Sequence, residues 1–469
     1  MMKGKRFQWI TILLTVCIML LWTFIVPLEA EASSFPEFIK IGLKYGSTGP
    51  SDCTLSSKSG FVLGTITEEG FKETLPLPAY STVVASIENG HVALHDQQGV
   101  LLSANIGVNG CLAAADYKEN GLITYENADY RGGMLLLVNS SNKLSIINYL
   151  KTEEYLYGVI HREMSQSFPI EALKAQAVAA RSFVMESYGR HTADGFDVCS
   201  STHCQVYGGY NAEYPSTCQA VNETKGLLVW SKGEPAPVFY HKNSGGHTQS
   251  IGEVWSFPMN HLTGKVDPYS PNYPWSATIY FNTLEQKLTR AGYLTGSIQS
   301  VKIGGRNSAG AVSKLIIEGN KDTVNLEKEK IRSVLGTSLV RSRHFNIGTE
   351  YLGRDGMSSL IADFQLSNGR LKKDVGEKVY VLSAGDKLKE VNSAELHITN
   401  GNKTIKAKTT ETPSDTPDSV VATGDKVIFT GVGSGHGVGM SQDGAIEMAK
   451  QGFTFDQILH FYYTDIEVR

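Results

Sequence analysis

Glu163 falls four residues after Val159 and seven after Leu156, so on a helix its carboxyl leaves an otherwise apolar face. A carboxyl in a poorly solvated setting resists ionisation, and its pKa climbs toward neutral. That is the property needed in a group that protonates a leaving oxygen. Lys174 and Arg181 follow, seven apart and hence on one helical face, with Gln176 elsewhere on the wheel. If that face borders Glu163, the two cations could hold sugar hydroxyls, an acetamido carbonyl or a carboxylate. Taken alone, such residues more often make a surface or capping arrangement. No second acid is visibly paired with Glu163, and hydrolysis of a glycosidic bond usually takes two.

A second cluster packs Cys199, His203 and Cys204 into six residues, with His191 eight before Cys199. Zinc takes such nitrogen and sulfur donors tetrahedrally, although the spacing is not that of a standard finger. Adjacent His203 and Cys204 are not expected to reach one ion easily. A Cys199–Cys204 disulfide and free thiols are the alternatives. Outside the N-terminal run the cysteines are Cys53, Cys111, Cys199, Cys204 and Cys218, an odd number that rules out complete pairing within one chain.

Two further stretches are dense in small and polar residues. In Phe239–Thr248, Tyr240 could stack on a pyranose face, and His241, Ser244 and Thr248 suit a tight loop; a Gly-Gly turn beside a core Trp255 is an equal reading. From Gly431 to Gly439 every alternate residue is glycine, with His436 in the middle. An extended segment bare on one side would let another backbone or a ligand approach closely.

These residues need elements to hold them. Thr152 can cap a helix with Glu153 and Glu154 in its first turn, and Leu156, Val159, Ile160 and Glu163 on one face. Pro169 suits the first position of a second, alanine-rich helix running to about Tyr188. Before Thr152, short apolar runs at 39–43, 60–64, 134–138 and 144–148 read as strands separated by turn chemistry. Residues 195–280 return to short strands and loops, strands follow near 300–303 and 313–318, and a helix is expected over 326–335. Ser441 can cap one helix, and Thr454 with Gln457 forms a capping box for the last.

The chain of 469 residues carries a net charge of −4, so no global basic field points to nucleic acid. Lys3, Lys5 and Arg6 precede an apolar run from about Trp9 to Leu28, and Ala30-Glu31-Ala32 offers a cleavage site. The run reads as an uncleaved membrane anchor in preference to a cleaved signal peptide. All that follows would then lie outside the cytoplasmic membrane.

The string Tyr155-Leu-Tyr-Gly-Val-Ile-His-Arg-Glu163-Met164, then Pro169-Ile-Glu-Ala-Leu-Lys174-Ala-Gln176-Ala-Val-Ala-Ala-Arg181, resembles the stage II sporulation protein D family almost residue for residue. The resemblance extends to the glycine run and to Phe461–Tyr463. It implies a lytic transglycosylase that cleaves peptidoglycan glycan strands with Glu163 as the acid, forming 1,6-anhydromuramic acid ends. It also implies Lys174, Gln176, Arg181, Gln205 and Tyr207 along a substrate groove, with Tyr240, His241, Ser244, Thr248 and His436 as further contacts. Zinc is favoured over a disulfide, on His191, Cys199 and Cys204 with His203 as a further donor, shaping the groove without entering the chemistry. Expected partners are stripped glycan strands, an amidase and other engulfment proteins. The alternative is a wall-binding amidase enhancer that does not cleave.

The expected fold class is α+β, mixed strands and helices around a substrate groove behind an N-terminal anchor. The expected divisions are an anchor or signal at 1–32, a mostly β part at 36–150, a catalytic core at 151–345, an insertion or linker at 346–424 and a return to the catalytic domain at 425–469.

Overall fold

The computed structural model describes residues 35–348 and 421–469, with four short strands between them: Lys378–Ser383, Lys387–Asn392, His397–Thr399 and Thr404–Lys406. The apolar run at 9–28 and most of the 346–424 stretch lie outside the described residues. Among the described residues no helix is long and apolar enough to cross a membrane. Eight α-helices are present among them: α1 (Thr152–Glu163), α2 (Ile170–Ser187), α3 (Pro215–Glu223), α4 (Ile251–Val254), α5 (Phe281–Arg290), α6 (Lys330–Leu335), α7 (Gln442–Lys450) and α8 (Phe455–Tyr462). With eight sheets interleaved, the class is α+β.

Residues 37–151 build two stacked sheets. A seven-stranded sheet runs in the order Val198–Cys199, Phe38–Lys44, Leu144–Lys151, Gly133–Val138, Gly110–Ala114, Phe61–Thr67, Gly70–Leu77. Its strands are apolar on both faces, as the run Met134-Leu135-Leu136 anticipates. Met134, Leu136 and Ile146 point to a six-stranded sheet, while Leu135, Ile147 and Ile39 point to α1 and α2. The sheet is thus a middle layer, and α1 lies directly on it.

Helix α1 begins at Thr152 with Lys151 in the cap position, one residue earlier than expected for the cap. Tyr155, Leu156, Val159 and Ile160 are fully buried, and the helix ends on Glu163 because Met164 turns to an extended conformation. Helix α2 is buried on two sides. Leu173, Ala177, Ala180 and Val184 join α1 and the sheet, whereas Ala175, Val178 and Ala179 join the C-terminal helices. Five alanines along α2 let both neighbours approach closely.

Part of the stretch expected as a catalytic core packs around an apolar centre of its own. Residues from 274 to 347 and from 422 to 429 share a separate apolar core around Phe281, Leu315, Phe345 and Phe429. The strand Phe345–Ile347 pairs with Lys426–Val432, and Val421–Thr423 pairs with Ile298–Arg306, so both ends of the 346–424 stretch are stitched into that core. Helix α5 there was not anticipated, although Phe281, Leu284 and Leu288 follow helical spacing. The helix expected over 326–335 is shorter: Thr323–Glu327 is a strand, and only Lys330–Leu335 is helical.

The glycine run also corrects the expectation of an extended segment. Gly431 lies within the strand Lys426–Val432, but Gly433, Gly435, Gly437 and Gly439 have φ of +82°, +113°, +82° and +70°. Every second residue is therefore left-handed, a conformation glycine adopts without strain. A Cβ on Gly439 would lie 2.0 Å from the Phe239 carbonyl oxygen, and one on Gly435 would lie 2.6 Å from His241 Cβ. The close approach read from the sequence is thus real, and the loop wraps the Phe239–Thr248 segment.

Candidate active site

A cleft of about 380 Å³ opens where α1, the loop 199–206, the Phe239–Tyr240 segment and the glycine loop meet. Its walls carry Glu163, Gln205, Tyr240, Trp255, Arg190 and His436 among others. Glu163 is the only carboxylate among the described residues lining it.

Glu163 reaches this place because α1 stops there. Burial raises its pKa, and the single hydrogen bond from Gln442 only partly opposes that. Its position at the C-terminal end of α1, the negative end of the helix dipole, also disfavours the charged form. Gln442 Nε2 donates to Glu163 Oε2 at 3.4 Å and to Gln176 Oε1 at 3.3 Å. Gln176 is fully buried, so it reaches the acid only through Gln442.

Gln205 and Tyr240 stand beside the acid. Tyr155 donates to Gln205 Oε1 at 3.2 Å, and Gln205 Nε2 donates to Tyr240 Oη at 2.9 Å. The phenol of Tyr240 is held well above its ordinary pKa by burial, then by the nearby Glu163, so its hydroxyl keeps its proton. Because that oxygen accepts from Gln205, its own proton is directed elsewhere. His436 packs on Trp255 with ring centroids 5.0 Å apart, and its Nδ1 accepts from the Val438 amide at 3.1 Å. Burial keeps it well below the usual imidazole pKa, so it is neutral. It is a wall of the cleft.

Other expected contacts do not reach the cleft. Lys174 Nζ is 2.8 Å from Glu171 and 2.6 Å from Glu223. Arg181 is fully buried; its Nε and Nη2 donate to the two Glu153 carboxylate oxygens at 2.9 and 2.7 Å, and it also bonds the carbonyls of Val221 and Leu227. The two cations share a helix face, but that face looks at α1 and α3. Tyr207 is buried against Tyr155 and donates to Asn148 at 2.8 Å. His241 Nδ1 bonds the Val438 carbonyl, Ser244 donates to Asp267 at 2.8 Å, and Thr248 bonds the backbone of Lys265. These three hold the loop from inside.

The strand Tyr240–His241 runs parallel to Met440–Ser441, which sets Tyr240 beside the start of α7 and Gln442. Ser441 caps α7 through the Gly444 amide, as expected. Sequence reasoning missed Gln442, Arg190, Phe183, Thr202, Val206 and Phe239 as site residues. Gln442 had a usable signal, since it directly follows a helix cap at the end of the glycine run.

His191, Cys199, His203 and Cys204 bring one donor atom each to within 4.8 Å of one another. His203 Nδ1 lies 3.3 Å from His191 Nε2, 3.7 Å from Cys199 Sγ and 3.6 Å from Cys204 Sγ. Tetrahedral zinc with bonds of about 2.0–2.3 Å sets its donors about 3.3–3.8 Å apart, the spacing that His203 keeps from the other three. The adjacent pair His203 and Cys204, not expected to share an ion, does converge, because the chain turns between them. Both cysteines are unbridged. Burial would raise the Cys199 thiol, but hydrogen bonds from Ser201, His203 and Cys204 outweigh it and lower it to about 6.

The stage II sporulation protein (SpoIID) family profile matches residues 140–230, which contain α1, α2, the four donors and α3. A domain of unknown function (DUF8618) matches residues 259–367, overlapping the second core. The chain is 30% identical over 315 residues to the amidase enhancer of Bacillus subtilis (strain 168), covering 66% of this chain and 39% of that protein. It thus spans well under half the length of that relative. It is 25% identical over 340 residues to the stage II sporulation protein D of the same organism, covering 69% of this chain and 75% of that one. An uncharacterized protein of Brachyspira hyodysenteriae is 26% identical over 398 residues, covering 83% and 84% respectively.

Proposed function

We propose that this chain of the SpoIID type is a peptidoglycan lytic transglycosylase whose acid is Glu163. One observation carries the reading: the described lining of the cleft holds a single, burial-shifted carboxyl among aromatic and amide side chains. One carboxyl suffices if the substrate supplies its own nucleophile. Glu163 protonates the glycosidic oxygen as its bond to the anomeric carbon of muramic acid breaks. The muramic 6-hydroxyl then bonds that carbon, closing a 1,6-anhydro ring, and its proton returns to the Glu163 carboxylate. No water is consumed and the carboxyl ends as it began. Hydrolysis would call for a second carboxylate to activate water or to act as nucleophile.

The fixed groups divide the remaining work. Gln442 holds one oxygen of Glu163, and Gln205 fixes Tyr240, whose O–H is free to donate to the sugar. Trp255 offers an aromatic face to a pyranose. Zinc on His191, Cys199, His203 and Cys204 would tie the loop that presents Gln205, supplying rigidity only. The basic and apolar N-terminus supports a placement at the outer face of the cytoplasmic membrane, and the named relatives support a wall-remodelling role in sporulation with an amidase partner. Loss of strand cleavage in Glu163→Gln, with unchanged thermal unfolding, tests the assignment.

The likeness to an amidase enhancer favours one second reading, in which the same cleft presents strands to an amidase without cutting them. In that case the chain stimulates the amidase, and Glu163→Gln stimulates it equally.

A further inference from the structure

Phe257 is 47% exposed and stands two residues beyond Trp255, which lines the cleft. The two rings are parallel, their planes 7° apart and their centroids 6.5 Å apart. A single exposed apolar side chain needs no explanation. One aligned with an aromatic wall of the cleft, on a backbone fixed from another part of the fold, is a different matter. The corner that carries both rings follows α4 and is held from the second core. Lys328 Nζ donates to the Gly252 and Trp255 carbonyls at 2.8 and 3.3 Å, and Arg343 Nη2 donates to the Glu253 carbonyl at 3.2 Å. The Glu253 carboxylate accepts from the Ser308 amide at 3.0 Å and from the Ser308 hydroxyl at 3.1 Å. A mount fixed in this way lowers the entropy lost when a ligand settles on the rings.

A cleft of about 380 Å³ is near the lower end for sites that enclose a small ligand. A glycan strand is a polymer, so most of it must run on outside such a cleft. Each pyranose has a face of C–H groups, and laying that face on an aromatic ring removes apolar area from water. Resting on the glycan reading of the cleft, we infer that Phe257 is a second sugar platform, which continues the Trp255 wall and adds a subsite for a strand leaving the cleft. Its ligand class is a β-1,4-linked strand of N-acetylated hexosamines longer than the cleft itself. The platform makes the chain selective for long strands over short fragments.

The test uses the full chain carrying Glu163→Gln, so that strands stay intact. Calorimetry measures its binding to long peptide-free glycan strands and to a single disaccharide cut from them. Adding Phe257→Ala should weaken long-strand binding about tenfold, the loss expected when one aromatic face is withdrawn. Affinity for the disaccharide and the unfolding temperature should not change, and Phe257→Trp should restore the long-strand affinity. Equal long-strand affinity with and without Phe257→Ala overturns the inference. So does an equal loss for strand and disaccharide, which would put the effect inside the cleft. If the unmutated chain cleaves strands while Phe257→Ala changes nothing, the platform falls and the transglycosylase stands. A length-selective loss in a chain whose unmutated form does not cleave keeps the platform and sinks the transglycosylase. Binding of neither ligand by the Glu163→Gln chain sinks both.

Discussion

Gln442 Nε2 donates to the carboxylate of Glu163 across 279 positions of sequence, from the first residue of α7 to the last of α1. The bond links the two stretches that carry the family likeness, and it acts on the acid itself. An N–H donor favours the ionised carboxylate, so Gln442 works against the burial that raises the pKa.

Replacing Gln442 with leucine should therefore raise the pKa of Glu163 further. A general acid works while protonated, and activity falls as pH rises through its pKa. The basic limb of the pH–rate profile for strand cleavage should move to higher pH in Gln442→Leu. An unmoved or lowered limb would show that the amide does not tune the acid.

Arg181 is expected to matter for stability. Removing it leaves the Glu153 carboxylate with only the Gly226 amide and takes the guanidinium from the Leu227 and Val221 carbonyls next to α2. Arg181→Met should cost about 3–5 kcal/mol in urea unfolding, the range for breaking a buried ion pair. Strand affinity at a temperature where the variant is folded should be unchanged. A loss of affinity without loss of stability would restore Arg181 to the substrate groove.

Asp267 offers a stability test of the loop behind the site. It accepts from Ser244, Tyr462 and the amides of Tyr269 and Ser270, yet burial still pushes it up to about 6. A folded pKa above the unfolded value gives stability that is fully present at low pH and lost as pH rises through about 6. Relative to Asp267→Asn, the unmutated chain should lose about 2–3 kcal/mol between about pH 4 and about pH 7. Urea titrations at the two pH values give the difference, and a gap that widens with pH would contradict it.

The four-donor site predicts bound metal with His203 as a full ligand. The purified chain should carry one zinc by elemental analysis, and Cys199→Ser or His203→Ala should lower both the metal content and the unfolding temperature. Full zinc occupancy in His203→Ala would return the site to His191, Cys199 and Cys204.

The sequence was most legible where local spacing and burial agree. Leu156, Val159 and Ile160 at helical spacing marked α1, and the acid came with them. Thr454 with Gln457 marked α8, whose capping box is present. The cations misled because a helix face says which residues share a direction and not what that direction meets. For Lys174 and Arg181 it meets Glu223 on α3 and Glu153 on α1, and α3 itself was hidden in a stretch read as loops. The glycine run showed its close packing but not its left-handed turns, because alternation looks the same in a strand. Gln442 and Arg190 carry no pattern of their own. Their place comes from contacts between segments far apart in the chain.

The central claim rests on one carboxyl performing both proton transfers, and the ends of the cleaved strands record that directly. Mass spectrometry of peptide-stripped glycan strands, incubated with the unmutated chain and with Glu163→Gln, should find 1,6-anhydromuramic acid ends only in the first. Reducing ends would contradict the account, since they require water and a second acid. So would intact strands bound by a folded, unmutated chain.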